Sequence, residues 1–221
     1  NPDLKSEYAY NADVDIARLV GTWLKLDVAA YATLLQNALV RRAFTFNGSD
    51  SLVYDGVLSR VEAIQNAAWA RVVGAYFGVE AKMSDALSAK LSYNVQHGVE
   101  ELDNGDVGPS RHAPPAFGLG RITYQRGRFR ADLTSQFQAG RRNDQLAWEE
   151  RAKIELYALD ADGNAYCPSW YTLNARASME LKHGITLNLG LENITDQRYR
   201  PYSSGISGAG RNAVVALAAR F

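Results

Sequence analysis

Near its C-terminus the chain alternates apolar and polar residues with a period of two. In ITLNLGLEN, Ile185, Leu187, Leu189 and Leu191 alternate with Thr186, Asn188, Gly190 and Glu192. WYTLNARASMELK sets Tyr171, Leu173, Ala175, Ala177, Met179 and Leu181 against Thr172, Asn174, Arg176, Ser178, Glu180 and Lys182. RNAVVALAARF closes the chain with Ala213, Val215, Leu217, Ala219 and Phe221 on one face. The pattern recurs upstream: Phe129, Ala131, Leu133 and Phe137, then Leu87, Ala89, Leu91, Tyr93 and Val95. Before these come Val73, Ala75, Phe77, Val79 and Ala81, then Leu24, Leu26, Val28, Ala30 and Ala32, then Tyr10, Ala12, Val14 and Ile16. Alternation at period two puts successive side chains on opposite faces of a strand, so these segments are β-strands. Only AFGLGRITYQ loses phase, between Leu119 and Ile122, and a bulge beside Gly118 and Gly120 is expected there.

The connections alternate too. Short turns fall near residues 20–22, 84–86, 126–127 and 183–184, and long polar stretches near 38–71, 98–112, 141–169 and 194–211. Short turns at one end and long loops at the other are the mark of a transmembrane β-barrel. The strands run to about 9–13 residues, longer than the ~5–6 usual in soluble sheets. A tilted strand of about 11 residues climbs roughly 25 Å, the height of an apolar band in lipid. Phe129 and Phe221 lie near the short-turn end, and Tyr10, Tyr93, Phe137 and Tyr171 near the long-loop end, as two interfacial girdles would require. Turning Lys90, Arg130, Arg176 or Lys182 toward lipid would cost up to ~2–4 kcal/mol each near mid-bilayer, so the polar face lines the interior. A soluble sandwich or lipocalin-like barrel also alternates, but strand length and the asymmetry of the two rims oppose it.

Composition adds exclusions. The 221 residues carry 24 basic and 24 acidic side chains, and neither a basic arm nor a heptad repeat suggests nucleic acid. A single cysteine, Cys167, rules out a disulfide within the chain. No run of 18 apolar residues exists for a spanning helix, which leaves a membrane barrel untouched. NPDLKSEYAY has neither the basic nor the apolar region of a signal peptide, so the protein is either cytosolic or trimmed at its beginning. Nine strands fit between residue 8 and residue 221. An odd count would leave two unpaired edges in lipid, so the expectation is the tail of a larger barrel.

The segment LNLGLENITDQRYRPYSSGISGAGRNAVVALAARF resembles the C-terminal end of TonB-dependent outer-membrane receptors: Glu192, Asn193, Ile194, Asp196, Tyr199, Gly210, Arg211 and Phe221 fall on the family pattern. NAAWARVVGAYFGVEAKM resembles the family's Asn…Ala…Gly-x-Glu strand, with Gly74 and Gly78 both available for its glycine, and NPDLKSEYAYNADVDI resembles its Asn-Pro-x-Leu-Lys-x-Glu strand entry. The resemblance covers nearly the whole chain. It implies an all-β, antiparallel transmembrane barrel of 22 strands with an N-terminal plug, of which residues 1–221 are the C-terminal portion, the last nine or so strands. It further implies TonB-coupled uptake of a scarce nutrient across the outer membrane of a Gram-negative bacterium, an iron–siderophore or haem by default. The implied partners are outer-membrane lipid, the protein's own plug, the TonB complex through the N-terminal region, and the barrel-assembly machinery. In the family that machinery reads the terminal aromatic and the alternating residues before it, here Phe221, Ala219, Leu217, Val215 and Ala213. A passive porin-like barrel and a soluble ligand-binding β-domain are the alternatives. The plug and TonB box of the full-length sequence would separate them.

Chemistry beyond this is sparse. His97 and His112 lie toward the long-loop end, and neutral imidazole is a haem ligand, which makes them the candidates for holding haem. The family often carries a histidine at this strand entry whatever its ligand. Asp160 and Asp162 have calcium-loop spacing without the closing glutamate, so LDADGN reads as a turn and no metal site is expected. Ser92 and His97 share a strand but point to opposite faces, so there is no hydrolase arrangement and no enzyme is expected. Loop residues such as Arg141, Arg142, Trp148 and Tyr202 could meet an anionic or aromatic ligand, and nothing ranks them.

Overall fold

The computed structural model describes residues 4–102, 104–111, 113–151 and 153–220. Nine strands follow one another across a single antiparallel sheet: β1 Tyr8–Val20, β2 Leu24–Ala43, β3 Glu62–Lys82, β4 Leu87–Glu101, β5 Phe117–Arg126, β6 Phe129–Gln138, β7 Trp170–Glu180, β8 Ile185–Glu192 and β9 Asn212–Ala219. Each pairs with its sequence neighbours, and a short strand at Val107–Pro109 adds to β4. Among the described residues β1 and β9 do not pair with each other, so the sheet is open.

Glycine and left-handed residues make three of the four tight connections, and the Ser84 hydroxyl closes the fourth by accepting the Ala86 and Leu87 N–H groups. Gly21 (φ 60°), Gly127 (φ 57°) and the His183–Gly184 pair (φ 60° and 69°) occupy the region that side chains with a Cβ disfavour. The other end carries the long segments 44–61, 102–116, 139–169 and 193–211. Two of the four differ from the sequence expectation. The stretch expected as a loop over 38–71 is largely strand, because β2 and β3 run on for 20 and 21 residues before a small hairpin, Ser51–Tyr54 with Val57–Arg60, turns them back. At ~3.3 Å per residue and ~45° tilt, strands this long rise well beyond a ~25 Å apolar band. The loop expected over 98–112 likewise begins only after Glu101.

The expected bulge at Gly118 and Gly120 is absent: β5 keeps unbroken register with both neighbours from Phe117 to Tyr124. Alternation there is real but disguised. Gly118 and Gly120 take apolar-face positions, and Leu119 takes a polar-face one, opposite Ser92 and Gln136. A Cβ at Gly118 would overlap the Phe137 ring, which stacks with Tyr93 from the other side at 6.3 Å between centroids. Two neighbouring aromatics thus fill the space the glycine leaves. The register shift lies instead in β2, between Leu35 and Leu39, where Asn37 adopts φ 55° and its carbonyl accepts the Asn66 amide at 2.8 Å.

Pairing aligns the apolar positions of all nine strands on one face. Val14, Val28, Phe77, Leu91, Ile122, Leu133, Met179, Leu189 and Val215 are all exposed there, with Leu217 at 71%. A soluble protein rarely shows a continuous apolar patch beyond a few hundred Å². The cluster of buried apolar side chains lies at the long-loop end, where Leu146, Ala165 and Cys167 pack with Tyr157 and Tyr202.

Candidate ligand-facing wall

The opposite face is polar and divides along its height. Toward the short turns it is charged. Lys25, Glu80, Lys90 and Arg121 stand in one row across β2 to β5 by register. Lys25 pairs with Asp27 at 2.9 Å and Lys90 with Glu80. On β6 the Arg130 guanidinium meets Asp132 at 2.8 Å, and Asp132 also accepts the Thr123 hydroxyl at 2.6 Å. Arg176 points to this face as its alternation requires, and its partner is Glu192 of β8 at 2.7 Å.

Toward the long loops the same face gains aromatic and amide groups beside Glu100 and Glu192. The Tyr31 hydroxyl donates toward Asn94 Oδ1 at 3.2 Å and Gln96 Oε1 at 3.0 Å, reaching from β2 to β4 over Gly74 of β3. A Cβ at Gly74 would overlap the Tyr31 ring, which gives that glycine its reason. Trp170 packs on Tyr199 at 4.4 Å between centroids, with the rings tilted by 37°.

The residues of the C-terminal pattern converge on the connection between β8 and β9. Asn193 is buried in left-handed backbone (φ 47°), and its own N–H donates to Asn174 Oδ1 at 2.8 Å. Its side-chain amide donates to the carbonyls of Gln197 and Ala209, both at 2.9 Å, while its Oδ1 accepts the Gln197 N–H at 2.9 Å. Asp196 (φ 53°) accepts the Arg211 N–H at 2.8 Å, and a Cβ at Gly210 would sit 3.0 Å from that carboxylate. The Tyr199 carbonyl accepts the Gly208 N–H at 2.9 Å. Asn193 and Asp196 therefore satisfy main-chain groups of the long loop that also holds Tyr199, Gly210 and Arg211, while Glu192 just before it holds Arg176.

No protein-family model matches the chain, and no curated protein matches it. Solved structures do. The copper transporter OprC aligns over 98% of this chain at 14% identity with a TM-score of 0.70. The FrpB iron transporter from Neisseria meningitidis aligns over 97% at 13% identity and TM-score 0.69. A mutant ferric enterobactin receptor from Pseudomonas aeruginosa, PfeA, solved with enterobactin, aligns over 98% at 14% identity and TM-score 0.72. The chain shares the antiparallel β-barrel fold of these three structures. This chain spans about a third of each of those structures, 32%, 31% and 32% of their lengths.

Above this wall the long loops are tied by one carboxylate. Glu150, fully buried at the short helix Trp148–Arg151, meets Arg111 Nε at 2.6 Å and Lys153 Nζ at 2.7 Å. It also accepts the hydroxyls of Tyr157 at 2.5 Å and Ser203 at 3.4 Å. Burial works to raise its pKa, but Lys153, Tyr157 and Arg111 outweigh it and hold the carboxyl below the usual range. The Tyr157 phenol is pushed far up by burial and by Glu150 itself. Nothing in the sequence pattern announced this cluster, because its members at 111, 150, 153, 157 and 203 share no period.

The haem candidates fare differently. His97 pairs with Val73 and lies on the apolar face, the side away from Asn94 and Gln96, so it is not on the polar wall. His112 lies outside the described residues, as do Asn1, Pro2, Asp3 and Phe221. Among the described residues no group of three or more His, Cys, Asp or Glu could hold a metal. Asp160 accepts the N–H groups of Asp162 and Asn164 at 3.0 and 2.8 Å, the bonding of a turn. Cys167 is buried beside Gln138, and burial pushes its thiol up to about 11.

Proposed function

We propose that this chain is the C-terminal part of the barrel wall of a TonB-coupled receptor that imports a scarce nutrient across the outer membrane of a Gram-negative bacterium. The carrying observation is the uncovered apolar face running across nine strands, backed by a polar face on the other side of the same sheet. Two open sheet edges in lipid would each leave a row of unsatisfied backbone groups. The rest of the same protein supplies the remaining strands and an N-terminal plug, against which the charged half of the wall rests. The plug in turn carries the segment that engages the TonB complex. The matched structures, named as transporters or receptors for copper, iron and ferric enterobactin, support import as the activity class. An iron–siderophore or haem is the default cargo by resemblance.

The barrel-assembly machinery recognises the last strand through Phe221 and the aligned Ala213, Val215, Leu217 and Ala219. Deleting Phe221 should lower the outer-membrane abundance of the full-length protein far more than its affinity for ligand. Normal abundance with lost binding would contradict this.

The test of the function is uptake by cells expressing the full-length protein. Import should stop when TonB is deleted or the proton-motive force is collapsed. Import that persists under both conditions would establish a passive pore instead.

A further inference from the structure

The apolar face of the sheet is interrupted in few places. Up to the register shift in β2, charged or imidazole side chains enter it at Arg18 and Arg126, which stand beside short turns. They enter again at Glu101, where β4 ends, and at Arg71 and His97. The last two are neighbours. His97 stands opposite Val73, two positions along β3 from Arg71. Diagonal positions of this kind are roughly 7–8 Å apart, within reach of a long side chain.

Arg71 and His97 are both exposed, and neither side chain makes a hydrogen bond or ion pair among the described residues. Glu101 occupies the other diagonal of Arg71 and does not pair with it. An unpaired guanidinium on a face that meets hydrocarbon needs an anion from outside the protein.

Height says where that anion comes from. Arg71 stands roughly 11 residues up β3 from its short turn, and His97 roughly 10 up β4. At ~3.3 Å per residue and ~45° tilt, both lie about 23–26 Å above that turn, the outer boundary of a ~25 Å apolar band. A side chain reaching out of the hydrocarbon at this height enters the layer of lipid headgroups.

The chemistry of the pair fits a phosphate. A guanidinium offers a planar fork of N–H donors that matches two phosphate oxygens at once. An imidazole has an N–H donor in either protonation state. Below the pair on the same face, Val73, Val95 and Phe77 are exposed for acyl chains to lie against. A free phosphate ion would gain nothing from those three side chains, whereas a lipid gains from both parts.

We propose that Arg71 and His97 bind the phosphate of an outer-leaflet lipid whose acyl chains run down the apolar face past Val73 and Val95. The proposal rests on the outer-membrane placement above and not on what is imported.

The test titrates purified full-length protein, in an uncharged detergent, with lipid A, dephosphorylated lipid A and inorganic phosphate. Native mass spectrometry counts the lipid retained. The expected result is retention of lipid A, weakened about tenfold by Arg71→Gln and several-fold by His97→Gln. Glu101→Gln should not weaken it, and heat-modifiable migration of the barrel should be unchanged in all three variants. Equal retention of the dephosphorylated lipid, or equal retention by the protein and its Arg71→Gln variant, overturns the proposal. So does inorganic phosphate that binds through Arg71 while lipid A does not. Further outcomes separate this proposal from the uptake reading. Lipid contact by a spin label at Ala177→Cys, with lipid A retention indifferent to Arg71, removes only this proposal. Retention that depends on Arg71, with import that continues without TonB, removes only the coupled-uptake reading.

Discussion

The Tyr31 hydroxyl lies 3.0 Å from Gln96 Oε1, although a whole strand separates β2 from β4. The reach is possible because the residue between them is Gly74. Replacing Gly74 with valine should therefore displace the Tyr31 ring and break its bonds to Asn94 and Gln96. The expected cost is about 1–3 kcal/mol, as for other overpacked sites. It would be read as a lower unfolding midpoint of the full-length barrel. Tyr31→Phe should cost less, since it removes the hydroxyl and leaves the ring in place.

Asn193 predicts a larger local effect. Its side chain makes three hydrogen bonds while almost wholly buried. Asn193→Ala would strand the Gln197 N–H and two carbonyls, at roughly 1–3 kcal/mol for each buried group left unpaired. Hydrogen exchange should accelerate across 193–211 while β6 and β7 stay protected. Exchange unchanged in that loop would show that the asparagine does not organise it.

Glu150 predicts a pH dependence. Its folded pKa is depressed, so the stability it contributes is present above the unfolded carboxylate pKa and is lost as pH falls through the folded value. Limited proteolysis of the 139–169 loop should accelerate in acid below the ordinary glutamate range, where Arg111, Lys153, Tyr157 and Ser203 lose their shared partner. Glu150→Ala should give that protease sensitivity already at neutral pH, with about 3–5 kcal/mol lost from the loop layer because two cations are left unpaired.

The wall was readable from the sequence because its physics is periodic. Leu187, Leu189 and Leu191 had to share a face, and the charges of Arg130 and Arg176 settled which face avoids lipid. The extra length of β2 and β3 was not readable, since beyond Leu35 both strands leave the apolar band and alternation no longer has one sheltered side. Phe117 and Leu119 read as a broken phase because two glycines occupy the apolar positions beside them, Gly118 lying under the Phe137 ring and Gly120 beside Leu91. The Glu150 cluster was out of reach for another reason. Its five members meet only through the folding of separate loops, and no spacing rule joins 111 to 203.

The central claim is that one face of this sheet meets lipid and the other does not, and adjacent residues of β7 test it most directly. Ala177 pairs with Leu189 and Ala131, whereas Ser178 pairs with Asn188 and Arg130. Ala177→Arg should therefore destabilise the barrel by up to ~2–4 kcal/mol, and Ser178→Arg much less. The decisive measurement places spin labels at Ala177→Cys and Ser178→Cys in the full-length protein in bilayers. Native Cys167 is buried, with its thiol pushed up to about 11, and should stay largely unlabelled. The label at 177 should relax with lipid-soluble oxygen, and the label at 178 with a water-soluble nickel chelate or not at all if a plug covers it. Lipid contact at 178 with water contact at 177 would invert the faces of every strand paired to β7 and contradict the account.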